Sequence, residues 1–99
     1  MVAFNNSIPA HRFPLGQVVA TPAAVDLLAQ AGQDANELLA RHQAGDWGVV
    51  DADDRQANDE AITDEGRLMS VYALSNAQKV WIITEADRSS TCILTPDDY

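Results

Sequence analysis

The chain has 99 residues, room for one small domain and little more. An apolar fraction of 46% and a charged fraction of 21% belong to a globular protein and exclude wholesale disorder, collagen-like repeats and a disulfide scaffold. Fifteen acidic residues against six basic ones give a net charge of −9, which opposes non-specific binding to nucleic acid or anionic membrane and favours a basic partner.

Residues 1–12 read as a flexible tail, with Asn5, Asn6, Ser7 and Pro9 and no basic stretch leading into an apolar signal-peptide core. Residues 13–99 then form a single domain. Leu15–Ala20 is short, β-branched and bounded by Pro14 and Pro22, which predicts a strand. Thr21 suits a helix N-cap, with Pro22 at the first helical position where its missing N–H costs nothing. That helix runs over 22–31, turns Val25 and Leu28 inward and leaves through Gly32. Asp34 to Glu37 has the spacing of a capping box for a second helix, which reaches about Gln43, buries Leu38 and Leu39 and stops at Gly45. Two helices joined this tightly are expected to pack as a hairpin.

Asp46 to Val50 is a glycine-flanked turn around Trp47. A third helix follows, with Asp51, Asp53 and Asp54 at its positive end and a thin apolar stripe of Ala57, Ala61 and Ile62. Gly66 is its expected stop, and Asp64 and Glu65, on the wrong side of the dipole, predict a frayed last turn. After Gly66 the period becomes alternating: Leu68, Ser70, Tyr72 and Leu74 share one face, and Met69, Val71 and Ala73 the other. Lys79–Glu85 and Ser90–Thr95 read as two further strands, the last ended by Pro96. The expected class is α+β: an N-terminal strand, three helices, then a three-stranded antiparallel meander packed on the helices. The middle strand is expected to be central, because Val80–Ile83 is apolar on both faces.

That run of four is also the longest strongly apolar stretch, far below the roughly 18 residues of a membrane span. Cys92 is the only cysteine, so no disulfide can form within the chain, and a cytoplasmic location is the simplest expectation. Its strand context predicts a packed, unreactive thiol.

The residues that carry metal or cofactor chemistry are few. Two histidines, His11 and His42, and one cysteine make no zinc set. Asp51, Asp53 and Asp54 suggest a calcium loop, but counting from Asp51 the sixth position is Gln56 where glycine is needed, and the twelfth is Ile62 where glutamate is needed. There is no phosphate loop, paired-glycine fingerprint or nucleophile elbow, so no cofactor is implied. Arg41, His42, Asp46 and Trp47 are the most individual residues. They read either as a helix terminus with a tryptophan over the core, or as a polar pocket where His42 and Asp46 meet Ser70, Tyr72 and Thr84.

The segments FPLGQVVATPAA, ELLARHQAGDWG, the region of Asn58, RLMSVY and VWIITEADRSSTCILTPDDY resemble a family of small bacterial proteins carried on plasmids and other mobile elements. The resemblance covers Phe13 to Tyr99 and is most specific in RHQAGDWG and WIITEADRSST. It implies a genomic setting and no established activity.

Two functions follow. Asp46 to Glu65 holds eight acidic residues and one basic one, Arg55, or −7 of the total −9. This predicts an acidic accessory protein that binds a basic host or element protein and imitates nucleic acid, through Asp46, Trp47, Asp51, Asp53, Asp54, Asp59 and Glu60. The alternative is a small ribonuclease, by analogy with barnase, colicin and RelE-type toxin folds. In it His42 would act as acid or base, Arg67 and Arg88 would hold phosphate, and Ser70, Thr84 and Thr91 would give polar support. That reading requires Arg41, Arg67 and Arg88 on one face, and the overall charge favours binding over catalysis.

Overall fold

The computed structural model describes residues 11–99, so the expected tail lies, as far as residue 10, outside the described residues. The elements run β1 (Gln17–Ala20), α1 (Pro22–Ala31), α2 (Ala35–Gln43), α3 (Ala52–Asp64), β2 (Leu68–Ala73), β3 (Lys79–Thr84) and β4 (Ser90–Leu94), followed by a short 3₁₀ turn over Pro96–Asp98. The fold is α+β, with a sheet of order β1-β4-β3-β2. The meander is present as antiparallel β2, β3 and β4.

The N-terminal strand corrects the expected architecture. It joins the sheet as a fourth strand, parallel to β4, with Gln17 opposite Ser90 and Ala20 opposite Ile93. A parallel neighbour needs a long crossover, and here the three helices and two strands between β1 and β4 supply it. Gly16 lets the chain enter this pairing: its φ is +65°, and a Cβ there would strike the main chain of Arg88 and Ser89.

α1 begins where Thr21 accepts the Ala24 N–H, and it ends at left-handed Gly32. Its buried residues are Ala24 and Leu28, one turn apart, while Val25 turns outward and is 53% exposed. The expected inner face is thus rotated by one residue. α2 is capped by Asp34, which accepts the Asn36 N–H, and buries Leu38 and His42 at the same one-turn spacing. Both helices cover one sheet face, where Ala24, Leu28, Leu38, Tyr72, Leu74, Val80, Ile82 and Ile93 form one apolar cluster. Phe13, Trp47, Val50, Ala61 and Leu68 form a second.

α3 lies along the outer edge of β2. Its buried stripe is Asn58, Ala61 and half-buried Ile62, with Ala57 exposed. The Asn58 amide donates to the Met69 carbonyl at 2.7 Å and accepts the Met69 N–H at 3.1 Å. Beside it Val71 donates to Trp47 O at 3.0 Å and Val49 donates to Val71 O at 2.8 Å. Gly48 makes that approach possible, since φ is +77° and a Cβ would collide with the Val71 carbonyl.

The end of α3 differs from expectation in two ways. The left-handed residue is Glu65, at φ 59°, one position before Gly66. Gly66 serves close packing: a Cβ there would stand 3.1 Å from that of Ala61. The last turn is also held, because the Arg88 guanidinium donates to Ala61 O at 2.9 Å and to Gly66 O at 2.6 Å. A cation on the terminal carbonyls offsets the unfavourable placement of Asp64 and Glu65.

On the sheet face away from α1 and α2, Trp81 of β3 is half-buried, and its ring meets that of Tyr99 at 5.3 Å. Cys92 is half-buried on the same face, and burial raises its thiol pKa. No helix among the described residues is long and apolar enough to cross a membrane.

Candidate functional site

His42 sits at the centre of a buried polar chain. Its Nδ1 lies 2.5 Å from Ser70 Oγ on β2, and its Nε2 lies 2.9 Å from Thr84 Oγ1 on β3. Thr84 Oγ1 lies 2.7 Å from Thr91 Oγ1 on β4, and Thr91 donates to the Leu15 carbonyl at 2.7 Å. That carbonyl can only accept, so the direction of every bond is fixed in turn. Thr91 spends its proton on Leu15 and accepts from Thr84. Thr84 therefore accepts from His42, which carries its proton on Nε2 and accepts the Ser70 hydroxyl at Nδ1. His42, Ser70, Thr84 and Thr91 are each 0% exposed. Phe13 and Trp47 meet the imidazole edge-on at 5.2 and 5.6 Å. Burial lowers the His42 pKa to about 4, so the ring is neutral at pH 7.

This arrangement joins α2 to three strands and to the segment before β1. Four residues named for the ribonuclease reading thus come together as an internal network in which His42 is fully enclosed. The arginines of that reading are not gathered either. Arg41 stacks on Tyr72, on the helix-covered face of the sheet, at 4.6 Å. Arg67 lies over Tyr99 at 5.5 Å and donates to its hydroxyl, beside Trp81 on the opposite face. Arg88 is engaged with the carbonyls of α3 and lies 5.7 Å from the Phe13 centroid.

The turn after α2 organises the acidic residues next to it. Arg41 Nε donates to Asp46 at 2.8 Å, and this contact holds the Asp46 carboxyl below the usual carboxylate range. The Tyr72 hydroxyl donates to Asp46 O at 2.5 Å, and burial pushes that phenol up to about 12. Trp47 is 2% exposed and donates from Nε1 to Asp59 at 2.9 Å. Of the residues expected to contact a partner, Trp47 is therefore inside the protein, Asp46 is paired with Arg41, and Asp59 is engaged by Trp47.

The remainder, Asp51, Asp53, Asp54 and Glu60, are all exposed but do not share one face of the helix. Asp51 caps α3, accepting the Asp54 N–H at 2.8 Å, so Asp51 and Asp54 stand at its N-terminus. At 100° per residue, Asp53, Glu60 and Asp64 fall within about 40° of one another, pointing away from the stripe of Asn58, Ala61 and Ile62. All of these carboxylates are exposed. The ion pairs among the described residues are Arg41–Asp46 and Arg67–Glu85, and neither involves a carboxylate of α3. Among the described residues, no three His, Cys, Asp or Glu side chains converge as metal ligands would. A separate cleft of about 440 Å³ lies between α1 and the Pro96–Asp98 turn and is lined by none of the predicted site residues.

Two contributors were missed in the sequence. Asn58 carries the attachment of α3, and its signal is an amide inside the i, i+3, i+4 stripe that Ala61 and Ile62 define. Asp64 belongs to the outward carboxylate row through its spacing from Glu60. No family model matches the chain, and no match was found among curated proteins or solved structures.

Proposed function

We propose that this is an acidic accessory protein of a plasmid or other mobile element, which acts by engaging a basic host or element protein through α3 in the manner of a nucleic acid. The observation that carries this reading is the outward row of Asp53, Glu60 and Asp64, joined at the helix start by Asp51 and Asp54, without a cationic side chain paired to it among the described residues. Internal ion pairs would satisfy the row and turn it into ordinary surface. Unpaired, its field remains available to an Arg- or Lys-rich partner and speeds their encounter. Nucleic acid itself is repelled by the same charge. The genomic setting rests on the sequence resemblance alone.

The rigidity of α3 supports the reading further. The helix is tied to β2 through the Asn58 side chain and to the β3–β4 turn through Arg88, so the backbone positions that carry the carboxylates hold a fixed spacing. A fixed spacing lowers the ordering cost of association.

The test is competition. A basic protein captured from the host by the immobilised chain should be displaced by double-stranded DNA or RNA and should be absent when Asp53→Asn, Asp54→Asn, Glu60→Gln and Asp64→Asn are combined. Capture indifferent to both the polyanion and the substitutions would refute the proposal.

A further inference from the structure

The two edges of the sheet are treated differently. The β2 edge is closed by the Trp47–Val49 main chain and by the Asn58 amide. At the β1 edge, Gln17 donates to Ser89 O and Thr21 donates to Ile93 O, so these residues turn their main-chain groups toward β4. By the alternation of a strand, Val18 and Ala20 turn theirs outward. Among the described residues no strand lies beyond β1.

Exposed edges are normally guarded by shortness, charge, proline within the strand, or a bulge. β1 is short, at four residues, but carries no charge, proline or bulge. The thirteen residues from Phe13 to Val25 contain no charged side chain, although the chain as a whole carries −9. All four β1 residues are exposed, and three of the five exposed large hydrophobics among the described residues are Val18, Val19 and Val25.

From this contrast we infer that β1 is a self-association edge, and that its occupant is the β1 of a second copy, paired antiparallel about a twofold axis at Val19. Charge selects the occupant. A twofold contact sets each residue's surroundings against an identical set, and most faces of a chain at −9 would repel themselves. β1 carries no charge of its own, the carboxylate next to it being Asp98 on the Thr21 hydroxyl, and the acidic α3 is carried at the opposite edge of each sheet.

The register also agrees. With Val19 opposite Val19 of the other copy, Val18 faces Ala20, and these are the residues whose N–H and C=O point outward. Both pairs then exchange both of their hydrogen bonds, and no outward group of Val18 or Ala20 is left over. The valines at position 19 meet in the more closely spaced kind of pair. The result is a continuous eight-stranded sheet whose outermost strands lie about 34 Å apart at 4.8 Å per strand. Each carries its own α3 at a far end. The inference is independent of what α3 binds.

Sedimentation velocity on the full chain over a range of concentrations tests it. The expected species is a dimer of twice the 10.7 kDa chain mass. Val19→Lys places like charges at the axis, and Val18→Pro removes an outward N–H while leaving the bonds to β4 in place. Each should convert the dimer to a monomer with an unchanged far-ultraviolet circular dichroism spectrum. Val19→Lys replaces an exposed side chain and so keeps the test valid should Val18→Pro impair folding. A wild-type chain that is monomeric at every concentration, or a dimer that survives Val19→Lys, would overturn the inference.

Discussion

Asn58 of α3 holds Met69 of β2 by both main-chain groups, donating to its carbonyl at 2.7 Å and accepting its N–H at 3.1 Å. The amide takes the place of a neighbouring strand, and through it the most acidic helix of the chain becomes part of the sheet edge. Asn58→Ala removes both bonds and leaves two main-chain groups with poor access to water, so a loss of about 2–4 kcal/mol is expected. Asn58→Asp keeps an acceptor for the Met69 N–H but sets a carboxylate against the Met69 carbonyl, and should cost at least as much. Urea unfolding of the three proteins measures this, and a change under about 0.5 kcal/mol for Asn58→Ala would show that α3 is held by apolar contact alone.

The buried chain through His42 predicts a pH dependence with a definite sign. The imidazole titrates at 6.5 when free and at about 4 in the folded protein, so the unfolded state binds the proton first. The contribution is complete above pH 6.5 and is lost as pH falls from there to about 4, amounting in full to about 3 kcal/mol. His42→Gln retains hydrogen-bonding capacity without titrating, and it should flatten this part of the stability curve while lowering stability at neutral pH. A slope unchanged by His42→Gln would assign the acid sensitivity to the carboxylates.

Much of the fold was legible because its signals are local. Thr21-Pro22 and Gly32 bracket α1 at its observed bounds, and alternation from Leu68 to Ala73 gives the faces of β2. The parallel pairing of β1 was not legible, since Gln17 and Ser90 are far apart in sequence and no local pattern specifies which strand a lone N-terminal strand will join. The outward turn of Val25 was missed for a related reason: alanine carries a weak hydropathic signal, yet Ala24 is the residue small enough to be fully enclosed there. At the site, the pocket grouping His42 with Ser70 and Thr84 was one of two readings, and the shared face of Leu68, Ser70 and Tyr72 supported only the place of Ser70 in it. The enclosure of His42 was not legible, because a histidine in a groove and a histidine in a core have the same local sequence.

Only the alternative ribonuclease reading makes Arg88 a phosphate ligand, and the structure gives it a task at the end of α3. Arg88→Met keeps an unbranched apolar side chain but removes the guanidinium, which lies over Phe13 and holds the carbonyls of Ala61 and Gly66. A loss of about 1.5–3 kcal/mol is expected, with faster amide exchange in the last turn of α3. Glu65→Gly relieves the left-handed strain at φ 59° and should raise stability by up to about 1 kcal/mol. Amide exchange in the last turn that is unaltered by Arg88→Met would contradict the capping role.

Trp81 stands on the sheet face away from α1 and α2, half-buried against Tyr99. Trp81→Ala should therefore cost about 1–3 kcal/mol, below the roughly 3–5 kcal/mol of a fully enclosed large aromatic. Deleting the Tyr99 ring by Tyr99→Ala should shift the Trp81 emission to longer wavelength, while Trp47, whose indole is enclosed and bonded to Asp59, is unaffected. Thermal unfolding and fluorescence read both, and a cost above about 4 kcal/mol would place Trp81 among the core residues.

The central claim is that the outward carboxylates of α3 meet a basic partner. Its most direct measurement is the affinity of the captured partner for the chain as a function of ionic strength, made in parallel on the wild type and on the combined Asp53→Asn, Asp54→Asn, Glu60→Gln and Asp64→Asn variant. The account predicts that wild-type affinity falls steeply as salt is raised, and that the variant binds weakly with little remaining salt dependence. Equal affinities with parallel salt curves would contradict it and move the contact to another face of the molecule.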